Sequence, residues 1–149
     1  MKLFQIEEPD GTPVDPDAPG MAIGIDLCGA QAEVAVAVGG NAAVLADREG
    51  FERELPVPAA AAPVDAWQHL FEGAKLRAER ALGQPVTHAV VTLASSPEPG
   101  LAARLLGASA AAGIDLLRIV TRAEIDATEA PVIAAAILAE DLSPRPTEN

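Results

Sequence analysis

The stretch "GIDLCGAQAEVAVAVG", residues 24–39, decides the fold. An apolar strand ends in an acid, Asp26. A tight turn of small residues follows, with Cys28, Gly29 and Ala30 at its centre. A second strand then alternates with period two. This is a hairpin whose turn sits where phosphate-handling proteins carry glycine and hydroxyl groups. Here the hydroxyls are missing.

Working outward, "MAIGIDL" (21–27) reads as a buried strand, "GGN" (39–41) as a turn and "AAVLADRE" (42–49) as a third strand. The three predict an antiparallel meander. "PVPAAAAP" (56–63) is a linker. From Asp65 the period changes. Trp67, Leu70, Phe71, Ala74, Ala78, Ala81 and Leu82 share one helical face. Asp65 with Gln68 predicts a capping box, and Gly83 a C-terminal cap. "THAVVTLA" (87–94) is the fourth strand. Ser96, Pro97 and Glu98 read as N-cap, first helical position and dipole-friendly acid of a second helix that runs to Gly113. "DLLRIVT" (115–121) is the fifth strand. Thr121 and Glu124 predict another capping box, and a third helix runs from there towards Leu142, kinked or split by Pro131.

The order is therefore β-β-β-α-β-α-β-α over residues 21–141. It is preceded by an arm or linker (1–20) and followed by a loose tail (142–149). The expected fold is α/β: a single ribonuclease H-like domain. Its five-stranded mixed sheet combines a three-strand antiparallel meander with two parallel strands, flanked by helices.

Composition narrows the partners. The chain has 149 residues, half of them apolar, and a formal charge of −12. Its length suits one domain with a real core. Nucleic acid is not an expected partner, because phosphate binding needs Lys and Arg to displace counterions. An anionic membrane is not expected either. One cysteine allows no internal disulfide and fits a reducing compartment. The N-terminus is acidic and lacks an apolar signal core, so the cytoplasm is the expected location.

Beyond topology, the hairpin resembles the first phosphate loop of DnaK-type chaperones, roughly G-I-D-L-G-T-T-x-S-x-V-A-V. "DREGFERELP" (47–56) is similar to that family's stretch ending E-G-x-R-x-x-P-S. "ERALGQPVTHAVVTLASS" (79–96) is similar to L-G-x-P-V-x-x-A-V-I-T-V-P-A. "ARLLGASAAAGIDLLRIVTRAE" (103–124) resembles R-x-A-T-x-x-A-A-x-x-A-G-L-x-V-x-R-I-I-N-E-P. The likeness spans residues 22–127 and implies the first lobe of an actin-like ATPase, which in that family faces a second lobe across a nucleotide cleft.

The departures set the functional expectation. Asp26, Cys28, Gly29 and Ala30 mark a vestigial nucleotide site. Arg122 and Ala123 replace the family's Glu-Pro. Only "VPAAAAP" stands where the family inserts a subdomain with a catalytic lysine, and the expectation is a lobe without its second half. Phosphoryl transfer needs cations and dipoles placed around the phosphates, and one aspartate does not supply them. The expectation is a non-catalytic, chaperone-like interaction or assembly domain without a cofactor, whose partner is another protein or a second copy. A second reading is a nucleotide half-site completed by a partner or homodimer, with ATP and magnesium bound. A third is a ribonuclease H-like nuclease using Glu72 or Glu79 beside Asp26.

Individual residues carry plainer readings alongside. Asp26 either holds a magnesium-bound water, as the resemblance implies, or is a strand-end carboxylate bonded to nearby amides. Cys28 reads as a small buried side chain. His69 and His88 have no ligand partners at metal spacing. Trp67 and Phe71 read as helix-to-sheet packing. The third helix, "PVIAAAILA" (131–139), is apolar nearly all round. Val132, Ile133, Ala136 and Ile137 lie at helical spacing and are the expected protein interface.

Overall fold

A computed structural model describes residues 20–46, 54–125 and 128–143. Residues 1–19 of the arm, the first seven residues of the "DREGFERELP" stretch (47–53), residues 126–127 and the tail beyond 143 lie outside them. Five strands form one sheet: β1 (Met21–Asp26), β2 (Glu33–Val38), β3 (Asn41–Val44), β4 (Val86–Leu93) and β5 (Asp115–Thr121). Their spatial order is β3-β2-β1-β4-β5. β1–β2 and β2–β3 pair antiparallel, while β1–β4 and β4–β5 pair parallel. This is the mixed sheet the sequence predicts, in one α/β domain.

Alternation along the strands sends side chains to two different cores. Ile23, Ile25, Val34, Ala89 and Val91 pack under α1 (Val64–Leu82) and α2 (Pro99–Ala111), where Trp67, Phe71 and Leu105 are fully buried. Ala22, Ala35, Ala37, Val90 and Val120 face the other way, under α3 (Pro131–Leu142). Gly24 lies on this second face. A Cβ built on it would stand 2.3 Å from the Ala136 nitrogen and 2.7 Å from the Ala135 carbonyl carbon. The backbone of α3 thus rests directly on the backbone of β1, a close approach open only to glycine.

Several local expectations need correction. β3 ends at Val44, so the strand predicted over 42–49 is shorter, and its last residues lie outside the described set. Asp65 and Gln68 form no capping box: α1 starts at Val64 behind Pro63 with no side-chain cap, and Gln68 Nε2 donates to Glu72 instead. Asp65 remains a first-turn acid. Ala81 is exposed at the frayed end of the predicted stripe. α2 begins at Pro99, with Glu98 rather than Ser96 as N-cap, and ends at Ala111 rather than Gly113. Two prolines two residues apart both suit a first helical position, and the later one takes it.

The remaining caps follow the sequence. Gly83 closes α1 in the left-handed region at φ 69°. Thr121 and Glu124 form a capping box on a single 3-10 turn, Arg122–Glu124. The chain leaves that turn and starts α3 only at Pro131, so the predicted third helix is split.

Candidate functional site

β1 and β4 run parallel and end together, with Asp26 beside Thr92 in the register and Leu27 donating its N–H to the Thr92 carbonyl at 2.8 Å. In open α/β sheets the carboxyl ends of parallel strands are the usual ligand crevice. Asp26, Thr92 and Gly24 share the α3 face. Thr92 Oγ1 donates to the Pro131 carbonyl at 3.4 Å, which brings the amino end of α3 over this edge. Asp26 therefore stands on the side where a helix dipole favours negative charge.

The Asp26 carboxylate is buried and turned onto its own loop. Its Oδ1 accepts the Cys28 N–H at 3.0 Å. The Cys28 thiol is pushed up to about 12, first by burial, then by its hydrogen bond to Asp26 and by that carboxylate's charge, with Arg122 opposing. The thiol is a protonated donor at neutral pH and not a nucleophile. Gly29 and Ala30 are exposed. Gly29 has no positive φ, and a Cβ there would meet nothing closer than the Gln31 carbonyl oxygen at 3.9 Å. Its backbone does not require glycine.

The loop is fastened from the far side by the segment before α1. Ala32 N–H donates to the Leu55 carbonyl at 2.7 Å, and Val57 N–H to the Ala30 carbonyl at 2.9 Å. A bridge between Gln31 and Pro56 lies between these bonds. Leu55 itself is buried in the core beneath.

Sequence reading missed Glu33 and Thr92 as neighbours of Asp26. Glu33 is the cross-strand partner of Asp26 in the β1–β2 ladder. The signal for it was the hairpin register, which needs the turn length to be known. Two acids at one strand end fall short of a metal cage, and no group of three or more His, Cys, Asp or Glu able to hold a metal occurs among the described residues. Glu79 accepts the Val86 N–H at 2.8 Å, at the opposite end of β4 from Thr92. At about 3.3 Å per residue that is roughly 20 Å from Asp26. Glu72 is exposed and engaged by Gln68 and, at 3.6 Å, by His69. Neither acid converges on Asp26.

The other singled-out residues are elsewhere. Arg122 is exposed and close enough to bias the Cys28 thiol. Glu124 Oε1 accepts the Thr121 N–H at 2.7 Å, as a cap. His88 Nδ1 lies 2.7 Å from Thr87 Oγ1, with Nε2 3.7 Å from Asp115. On α3, Val132 and Ala136 are buried against Ala35 and Ala37, while Ile133 and Ile137 pack against that contact and are only partly buried. The interface expectation therefore rests on the two isoleucines. No helix among the described residues is long and apolar enough to cross a membrane. No protein-family model matches the chain, and no curated protein is significantly similar to it.

Proposed function

We propose that this chain is a non-catalytic interaction or assembly domain of chaperone-like type, resembling the first lobe of a DnaK-type ATPase with a degenerate nucleotide site. The observation that carries the reading is the closure of Asp26 onto its own loop through the Cys28 amide and thiol. A carboxylate that organises a nucleotide's metal must face outward to hydrated cations. This one is buried and satisfied locally, and the neighbouring Gly29 and Ala30 offer no hydroxyl. The working surface is then the protein's exterior, and the partner is another protein or a second copy.

Calorimetry with ATP and magnesium tests this. The expected result is no measurable heat of binding and no hydrolysis above background. A dissociation constant in the low micromolar range, about −8 kcal/mol, overturns the reading in favour of a half-site completed by a partner or homodimer.

A further inference from the structure

A groove of about 640 Å³ runs along α1, between that helix and the extended segment 54–58. The segment is tied to the Asp26 loop by the Leu55 and Val57 backbone bonds described above. Its Leu55 leans across to α1 so closely that a Cβ built on Gly73 would lie 2.7 Å from Leu55 Cδ2. Leu55 and Leu70, both buried, make the floor. Leu76 stands at one end, 42 % exposed. Leu70, Gly73 and Leu76 follow one another at i, i+3 spacing and so share one side of the helix. Pro56 and Pro58 in the opposite wall have no N–H, so an occupant is held there by its side chains.

Charge divides along this groove. Glu54 and Glu72 line it and are exposed, and the lining holds no Lys or Arg among the described residues. Beyond it on α1 come Arg77 and Arg80, at i+4 from Gly73 and Leu76 and so on the same side. From Glu72 towards the helix end, this side reads acid, apolar, base. A complementary segment reads base, apolar, acid.

Residues 1–8, "MKLFQIEE", lie outside the described residues and have that order. Lys2 is the only Lys or Arg in residues 1–20, and the acids begin at Glu7. In an extended chain Lys2, Phe4, Ile6 and Glu8 project to one side. The connection is long enough. Gly20 N–H donates to Thr87 Oγ1 at 2.8 Å, beside Pro85 and just past the end of α1 at Leu82. Leu76 lies about 9 Å along the axis from that end. Residues 7–19 can span up to about 40 Å. A chain arriving from Gly20 meets the Arg80 end first and Glu72 last, so Glu8 and Lys2 fall in the required order.

We propose that residues 2–8 of this chain dock in the α1 groove in extended form. Lys2 lies at Glu72, Phe4 on the floor of Leu55 and Leu70, Ile6 against Leu76, and Glu8 towards Arg80. The tether holds the segment at an effective concentration of about millimolar. Separate copies of a chain with net charge −12 repel one another, which favours the chain's own arm over a second copy's. The docking shuts this groove to other chains. It lies on the opposite face of the sheet from α3 and stands or falls independently of the proposed function.

In this arrangement Gln5 projects away from the groove and takes a nitroxide through Gln5→Cys in a Cys28→Ala background. In such a spin-labelled, ¹⁵N-enriched protein, the Gly73 and Leu76 amides should lose NMR intensity. The Ala135 and Ala139 amides across the sheet should lose much less. Phe4→Ser with Ile6→Ser should restore both signals. Leu76→Asp should do the same, placed on an exposed side chain that the core does not need. With no spin label and Cys28 kept, Phe4→Ser with Ile6→Ser should shift the same two amides. Spin-labelled protein without ¹⁵N, mixed with ¹⁵N protein without the spin label, should leave them unchanged. Undiminished Gly73 and Leu76 signals overturn the proposal, as does broadening that survives the arm substitutions. Equal broadening in the mixed sample assigns the groove to a second copy's arm and overturns docking within one chain.

Discussion

The carboxylate of Glu140, near the end of α3, accepts the backbone N–H groups of Gly39 at 2.6 Å and Gly40 at 3.1 Å. These glycines form the β2–β3 turn, both at positive φ (62° and 84°), as a two-residue hairpin with right-handed strand twist requires. Their successive N–H groups make a small anion nest, and the protein fills it with its own side chain. One residue thereby ties the last helix to the first hairpin.

Glu140→Ala should therefore cost about 1 kcal/mol, the scale of exposed charge-assisted bonds net of solvation. Urea unfolding reads the loss as a lower midpoint at unchanged slope. Faster hydrogen exchange should be confined to Gly39 and Gly40. An unchanged midpoint and unchanged exchange would show that the contact contributes nothing in solution.

Gly24→Ala is expected to be far more damaging than its size suggests. The new methyl would meet α3 backbone atoms at 2.3–2.8 Å, and backbone cannot rotate aside. Overpacking typically costs about 1–3 kcal/mol, and the upper end applies where a helix must lift from the sheet. Gly107→Ala is the matched control, since nothing lies within 4 Å of its would-be Cβ; it should stabilise α2 by up to about 1 kcal/mol. Thermal melts that rank the two variants equally would contradict the close contact.

Cys28 should resist alkylation in the folded protein at pH 8 and react freely once unfolded. Its thiol sits at about 12 against an ordinary 9.0, with burial the first cause and Asp26 the next. Because the folded state favours the protonated thiol, the stability it contributes is complete below pH 9 and is lost as pH rises towards 12. Asp26→Asn removes the charge and should speed iodoacetamide labelling at pH 9 about tenfold, one unit of pKa being tenfold in thiolate. Arg122→Ala should have the opposite effect and slow labelling below the parent's rate. Labelling of the native protein at the rate of a free thiol would refute this environment.

The strands and helices were legible because their periodicities are strong and their punctuation is local. Gly83 and the Thr121–Glu124 box needed only neighbours within a few residues. Gly24 was quoted in the deciding stretch but not understood, since its reason lies in Ala135 and Ala136, more than a hundred residues on. The Glu140 latch is likewise tertiary. Asp65 and Gln68 misled because a motif says what a cap can do, not whether Glu72 will take the glutamine first. That the turn after Asp26 carries no hydroxyl was legible directly in Cys28, Gly29 and Ala30. That the Asp26 carboxylate folds back on Cys28 was not, because the choice between solvent and backbone depends on burial by β4 and α3.

The third helix offers the final prediction. Val132, Ala135, Ala136 and Ala139 are buried on the sheet and hold the helix. Ile133 and Ile137 only flank Ala35, Ala37 and Ala42. Two residues after Ala42, on the same face of β3, Val44 is 52 % exposed. The three form an apolar strip along the β3 side of α3. In a chain with net charge −12, copies repel one another elsewhere, so an uncharged strip is where a protein partner or second copy is expected. Ile133→Asp with Ile137→Asp should abolish dimerisation or partner capture, read by light scattering and pull-down. The buried alanines should keep the helical circular dichroism intact. Val44→Lys is the milder companion, placed on an exposed side chain that the fold does not need. If both variants stay folded and retain the parent's mass and partner, the interface lies on another face.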